Sequence, residues 1–200
     1  MRFIPPTREY AGYIFDCDGT LVESMPLHFR AWRRALEQHA ATFEFDWELF
    51  ISRAGMPLEA TVEALNVQFS TRLDAKRVVE LQLETYRSLL ADVTAIESVV
   101  TFARHVAVRA PVSVASGGHR AEVEASLRKV GIYELFQCIV TGHDVKNGKP
   151  DPEILLECAA RMGLAPADCL VIEDGVLGIE AARRAGMDCV KVETLAPDPT

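Results

Sequence analysis

Residues 169–186 read CLVIEDGVLGIEAARRAG. The run opens with four successive apolar residues and no polar alternation. Such a strand is buried on both faces, as strands of parallel sheets are. It closes on two acids, Glu173 and Asp174. After Gly175, the segment VLGIEAARRAG (176–186) takes up helical spacing and stops at a glycine, Gly186. The same strand-then-helix unit recurs upstream. VSVAS (112–116) precedes HRAEVEASLRKVG (119–131). QCIVT (137–141) precedes DPEILLECAARMG (151–163), where Asp151 reads as the N-cap and Pro152 as the first helical residue. DCVKV (188–192) is a last strand, and YIFD (13–16) is the first. Strands alternating with helices of this length predict right-handed βαβ units, hence an α/β fold with a Rossmann-like, doubly wound parallel sheet.

Between the first strand and residue 93 the pattern changes. PLHFRAWRRALEQHA, DWELFISRAG, PLEATVEALNVQFS and DAKRVVELQLETYRSLLA all carry helical periodicity, and no strand is evident. The organisation expected is a core of residues 1–21 and 93–200 with an inserted α-helical cap, residues 22–92. The insertion leaves and re-enters at the C-terminal end of the first strand, where doubly wound sheets bind ligands, so it is placed to act as a lid. The tail ETLAPDPT is expected to be loosely ordered.

The 200 residues carry a formal net charge of −8, with 49% apolar and 25% charged residues. That balance suits a globular protein and argues against a broad nucleic-acid or anionic-membrane surface. A local cationic site for a phosphate remains compatible with it. The five cysteines, Cys17, Cys138, Cys158, Cys169 and Cys189, are scattered without zinc or CxxC spacing. They read as reduced, buried thiols of a cytoplasmic protein. The N-terminal MRFIPPTREY contains no apolar stretch of secretory type.

The acids carry the chemistry. YIFD runs on into CDGT, so Asp16 and Asp18 stand one residue apart at a strand end. Extended geometry would aim both side chains to one face, where they repel unless something positive sits between them. A DxDG segment also occurs in turns and calcium loops, but a calcium loop starting at Asp16 would need an oxygen ligand at Leu27. A parallel sheet brings the second acid pair, Glu173 and Asp174, to the same edge. Mg2+ is the matching cation, being hard and suited to a few carboxylates, waters and a substrate phosphate. Read alone, IEDG is equally a helix N-cap. Ser116 ends the VSVAS strand and precedes Gly117 and Gly118; a hydroxyl and free N–H groups at a helix start form an anion site, though SGG alone is also an ordinary turn. Lys149, in GKPDP, stands just before another helix, where a lone lysine is usually solvated. The conjunction of all four at one sheet edge is what points to a phosphate-handling centre.

These motifs resemble those of the haloacid dehalogenase-like superfamily of aspartyl-phosphate enzymes: DCDGT (16–20), VSVAS ending at Ser116, Lys149 in GKPDP, and IEDG (172–175). The likeness covers essentially the whole chain, and FRAWRRAL after the first motif is similar to that superfamily's first type of cap. The nearest branch in appearance holds beta-phosphoglucomutase and sugar-phosphate phosphatases, including fructose-1-phosphatase-like enzymes.

The resemblance implies Asp16 as nucleophile and Asp18 as general acid, then general base. It implies Mg2+ held by Asp16, the backbone carbonyl of Asp18 and Asp174, with Glu173 acting through water or from behind the ligands. Ser116, Gly117 and Lys149 would hold the phosphoryl group, Thr20 would orient the loop after Asp18, and His28 would couple substrate binding to Asp18. Cys17 is expected to point away from the acids and serve packing. The substrate implied is a small phosphorylated metabolite, acted on by a monomer or weak homo-oligomer with no nucleic-acid or membrane partner. In the mutase a cap arginine and a core lysine grip the distal phosphate. Here those positions are Leu58 and His119, which favours a Mg2+-dependent phosphatase of phosphorylated sugars over a hexose-phosphate mutase. A haloacid dehalogenase fits less well, because Asp18, Glu173 and Asp174 would have no task. A non-enzymatic sensor would tolerate a damaged set, and the set is complete.

Overall fold

The computed structural model describes residues 3–193, so the tail beyond Glu193 lies outside the described residues. β1 (Gly12–Phe15) runs directly into DCDGT. A two-residue strand, β2 (Val22–Glu23), follows, and then four helices: α1 (Met25–Gln38), α2 (Trp47–Arg53), α3 (Leu58–Phe69) and α4 (Ala75–Leu89). β3 (Thr94–Ala95) returns antiparallel to β2, with Val22 opposite Ala95. No strand is expected in this region from the sequence; the ribbon is a correction, and two residues per strand are too few for alternation to register. It forms the double connection between the helices and the sheet.

The remaining elements are α5 (Glu97–Ala107), β4 (Val112–Ser116), α6 (Arg120–Lys129), β5 (Cys138–Thr141), α7 (Glu153–Met162), β6 (Cys169–Glu173), α8 (Val176–Ala185) and β7 (Asp188–Lys191). α5 lies upstream of residue 112, where the alternation becomes legible. It buries Val99, Val100, Ala103 and Val106 at helical spacing. α7 starts one residue later than its sequence pattern suggests. Pro152 occupies the N-cap position, and the Asp151 carboxylate accepts from the Glu153 N–H at 3.0 Å.

The large sheet is wholly parallel, in the order β5-β4-β1-β6-β7. Its two faces follow the period of two. Tyr13, Phe15, Val112, Val114, Leu170 and Ile172 pack under α5 and α6 with Val100, Phe102 and Leu127. Ile14, Ala115, Val140 and Val171 face the other way, onto Ile154, Cys158 and Ala181 of α7 and α8. The chain winds outward from β1 to β5, then returns to β1's other flank as β6. The resulting crevice lies at the strands' C-terminal ends. Phe15 pairs with Ile172, so Asp16 and Glu173 leave the sheet side by side, and the Asp16 N–H donates to the Ile172 carbonyl at 2.9 Å.

The cap helices close over a separate apolar core that includes Trp32, Phe45, Phe50, Val62, Leu65 and Leu83. Asp46 and Asp74 cap α2 and α4 through the N–H groups of Leu49 and Arg77. All five cysteines are free thiols; Cys17 is fully buried in the cluster that holds Phe15 and Leu21. Among the described residues no helix is long and apolar enough to cross a membrane.

Candidate active site

Lys149 organises the crevice. Its Nζ donates to Asp16 Oδ1 at 2.7 Å and to Glu173 Oε2 at 2.6 Å, with the ammonium essentially excluded from solvent. Burial alone would lower the Lys149 pKa, but the two carboxylates outweigh it and push it up. The other Glu173 oxygen accepts from the Gly175 N–H at 2.9 Å. Asp174 is tied at Oδ1 by the Thr20 hydroxyl at 3.0 Å. Asp16, Glu173 and Asp174 bring oxygens within 4.8 Å of one another.

Burial, and then repulsion from Glu173, raises the Asp16 carboxyl well above its ordinary range. The same two causes push Asp174 up to about 7. Three carboxylates beside one ammonium leave two negative charges uncompensated when all ionise. A divalent, oxygen-seeking cation is the group such a donor set fits.

Asp18 has different surroundings. Its Oδ1 accepts from the Ser24 hydroxyl at 2.6 Å and lies 3.2 Å from His28 Nε2. Burial would raise its pKa, but His28 and Ser24 outweigh burial and lower it. His28 is fixed in turn. Gln82 Nε2 lies 3.2 Å from its Nδ1, and Tyr86 stacks on its ring at 3.9 Å. With the Gln82 amide donating to Nδ1, Nε2 carries the proton and presents it to Asp18. Ser116 sits at the end of β4, its Oγ accepting from the Gly118 N–H at 3.1 Å.

The cap loop between α2 and α3 rests on the core. A Cβ on Gly117 would stand 2.5 Å from the Gly55 carbonyl oxygen, and one on Gly148 2.9 Å from the Pro57 ring. Beneath it lies a cavity of about 90 Å³. Its floor includes Asp16, Asp18, Ser116, Gly117, Glu173 and Asp174; its roof includes His28, Trp32, Phe50, Arg53 and Leu58. Asp16, Asp18, Ser116, Gly117, Glu173, Asp174 and His28 thus converge on one space, with Lys149 and Thr20 directly behind it.

A haloacid dehalogenase-like hydrolase family model matches residues 13–192. The chain belongs to that family. This member is 36% identical over 186 residues to fructose-1-phosphate phosphatase YqaB of Escherichia coli, covering 93% of this chain and 98% of the relative. It is 33% identical to a phosphorylated carbohydrates phosphatase of Thermotoga maritima, covering 88% and 81%. In fold it is similar to the crystal structure of a beta-phosphoglucomutase from Clostridium difficile, with a TM-score of 0.83 at 24% identity over 92% of this chain and 85% of that one.

Gln82 and Gly178 of this hydrolase's site are not evident from sequence. Ser24 and Arg53 fall in the lid stretches 24–28 and 53–58 that the sequence turns toward the substrate, without revealing their partners. Ser24 precedes α1 as an ordinary N-cap would, but its hydroxyl makes no cap bond and goes to Asp18 instead. Gln82 stands 54 residues from His28, and only the buried face of α4 hints at it. Arg53 reads as a basic residue in a helix's last turn. Gly178 reads as a weak point in α8, yet a Cβ there would lie 1.9 Å from Glu173 Oε2.

Proposed function

We infer that this phosphoric monoester hydrolase is a phosphatase of a small phosphorylated sugar or related metabolite, working with Mg2+ through an aspartyl-phosphate. The observation that carries the reading is Lys149 bridging Asp16 and Glu173, with Asp174 and Ser116 on the same crevice. The phosphatase relatives, named for fructose 1-phosphate and phosphorylated carbohydrates, support the substrate class.

Asp16 and Asp174 would hold the ion together with the Asp18 backbone carbonyl, while Glu173 has both oxygens engaged by Lys149 and Gly175. Bound there, Mg2+ supplies positive charge against the repulsion between carboxylates and phosphate. Asp16 attacks phosphorus as the bond to the leaving oxygen breaks, and Asp18 gives that oxygen its proton. Asp18 then takes a proton from water as water attacks phosphorus, freeing Asp16 and releasing phosphate. Ser24 and His28 engage one Asp18 oxygen and leave the other for the proton. Ser116 and the Gly117 N–H orient the phosphoryl oxygens, and Lys149 holds Asp16 in place. Residues 22–92 act as the cap that excludes water during the first step.

The mutase reading is weakened because Leu58 and His119 stand at the two positions where the mutase has its arginine and lysine. A screen of phosphorylated metabolites with and without Mg2+ tests the proposal. Phosphate release requiring Mg2+, and abolished in a folded Asp16→Asn variant, is the result expected. Conversion of β-glucose 1-phosphate into glucose 6-phosphate without phosphate release would establish the mutase instead.

A further inference from the structure

The roof of the cavity is largely apolar: Met25, Trp32, Phe45, Phe50 and Met56 contribute to it. Arg53, the last residue of α2, is its one guanidinium. Among the described residues Arg53 has no carboxylate within ion-pair distance, whereas ten other arginines do. No aromatic ring lies under it, unlike Arg8, Arg33 and Arg128. Its Nη2 donates to the Gln68 amide oxygen from α3, and its Nε is buried without a partner. A neutral amide orients a guanidinium without cancelling its charge. Arg53 is therefore a half-buried positive charge, fixed on one side, at the edge of the largely apolar roof above the acids.

A planar guanidinium with unspent donors at a cavity wall is matched by an anion rather than by a neutral hydroxyl. The phosphoryl group already has Ser116, Gly117 and the cation site on the floor. We propose that Arg53, oriented by Gln68, selects substrates whose leaving group carries a carboxylate away from the phosphate being removed. This rests on the phosphatase reading and narrows its substrate class. The residue belongs to a different helix from Leu58, so it is a feature of this chain's own cap.

Two substrates separate the charge from everything else: 6-phosphogluconate and glucitol 6-phosphate differ only in carboxylate against hydroxymethyl at the far end. For the wild type, kcat/KM should favour the acid by about tenfold or more, as expected of a charge-assisted hydrogen bond. Arg53→Gln should abolish that preference while leaving the alcohol within about threefold. Gln68→Glu, which retains the arginine but neutralises it, should abolish it too. Equal losses on both substrates would assign Arg53 to the transferring phosphate and overturn the inference, as would a wild type that releases phosphate from both without preference. No release from either, nor from p-nitrophenyl phosphate, would bring down the phosphatase reading and this inference with it.

Discussion

Lys149 and Glu173 form an ion pair of 2.6 Å with 1% and 4% of their side chains exposed. Asp16 shares the same ammonium. Removing the cation would strand two buried carboxylates, which is costlier than losing the pair itself. Lys149→Met should lower unfolding free energy by about 3–5 kcal/mol and phosphate release by about 10²–10³-fold. Urea denaturation and a phosphate assay check it; a variant of wild-type stability would mean that the acids do not depend on this lysine.

Gly178 supplies a sharper test of the same cluster. Alanine in a helix normally gains about 1 kcal/mol over glycine. Here the added methyl would meet Glu173 Oε2 at 1.9 Å and its Cδ at 2.2 Å. Gly178→Ala should therefore destabilise by about 1–3 kcal/mol and reduce activity by pushing Glu173 off Lys149. A stabilised, active Gly178→Ala would contradict the packing described.

The contrast between Gly178 and Lys149 shows what the sequence makes legible. Strand ends are readable because an apolar run followed by acid, hydroxyl or glycine is a local signal, and the parallel topology then gathers Asp16, Ser116 and Glu173 at one edge. Lys149 is readable only through that conjunction. Gln82 and Arg53 act through partners 54 and 15 residues away, Ser24 through a turn that folds it back onto Asp18, and Gly178 through space that must stay empty. No local pattern encodes any of these. The β2–β3 ribbon escapes for another reason, since two residues cannot display a period.

The carboxyl of Asp174 sets a pH dependence. Burial and Glu173 raise it from 3.8 to about 7, so the folded protein binds this proton more tightly than the unfolded chain. The stability it contributes is complete below pH 3.8 and is lost as pH rises through about 7. Melting in chelator should reveal a fall in Tm across that window, and Asp174→Asn should flatten this part of the profile. Mg2+ binds the ionised carboxylates, so its stabilising effect should grow over the same interval. A Mg2+ shift in Tm that is the same at both ends of the window would exclude Asp174 as a ligand.

His28 links the cap to the chemistry. It stands on α1 and reaches Asp18 at 3.2 Å, with its ring clamped by Tyr86 and Gln82 of α4. With these helices over the core, His28 and Ser24 hold Asp18 in one orientation. His28→Ala should lower kcat by about 10–100-fold on a sugar phosphate, the scale of a misplaced catalytic group, with KM little changed. The loss should shrink with p-nitrophenyl phosphate, whose weakly basic leaving group departs without a proton. The Asp16 attack and the later attack of water are common to both substrates, and only protonation of the leaving oxygen by Asp18 separates them. Equal losses on the two would place the His28 effect on those common steps, or on the fold, and remove it from protonation of the leaving group.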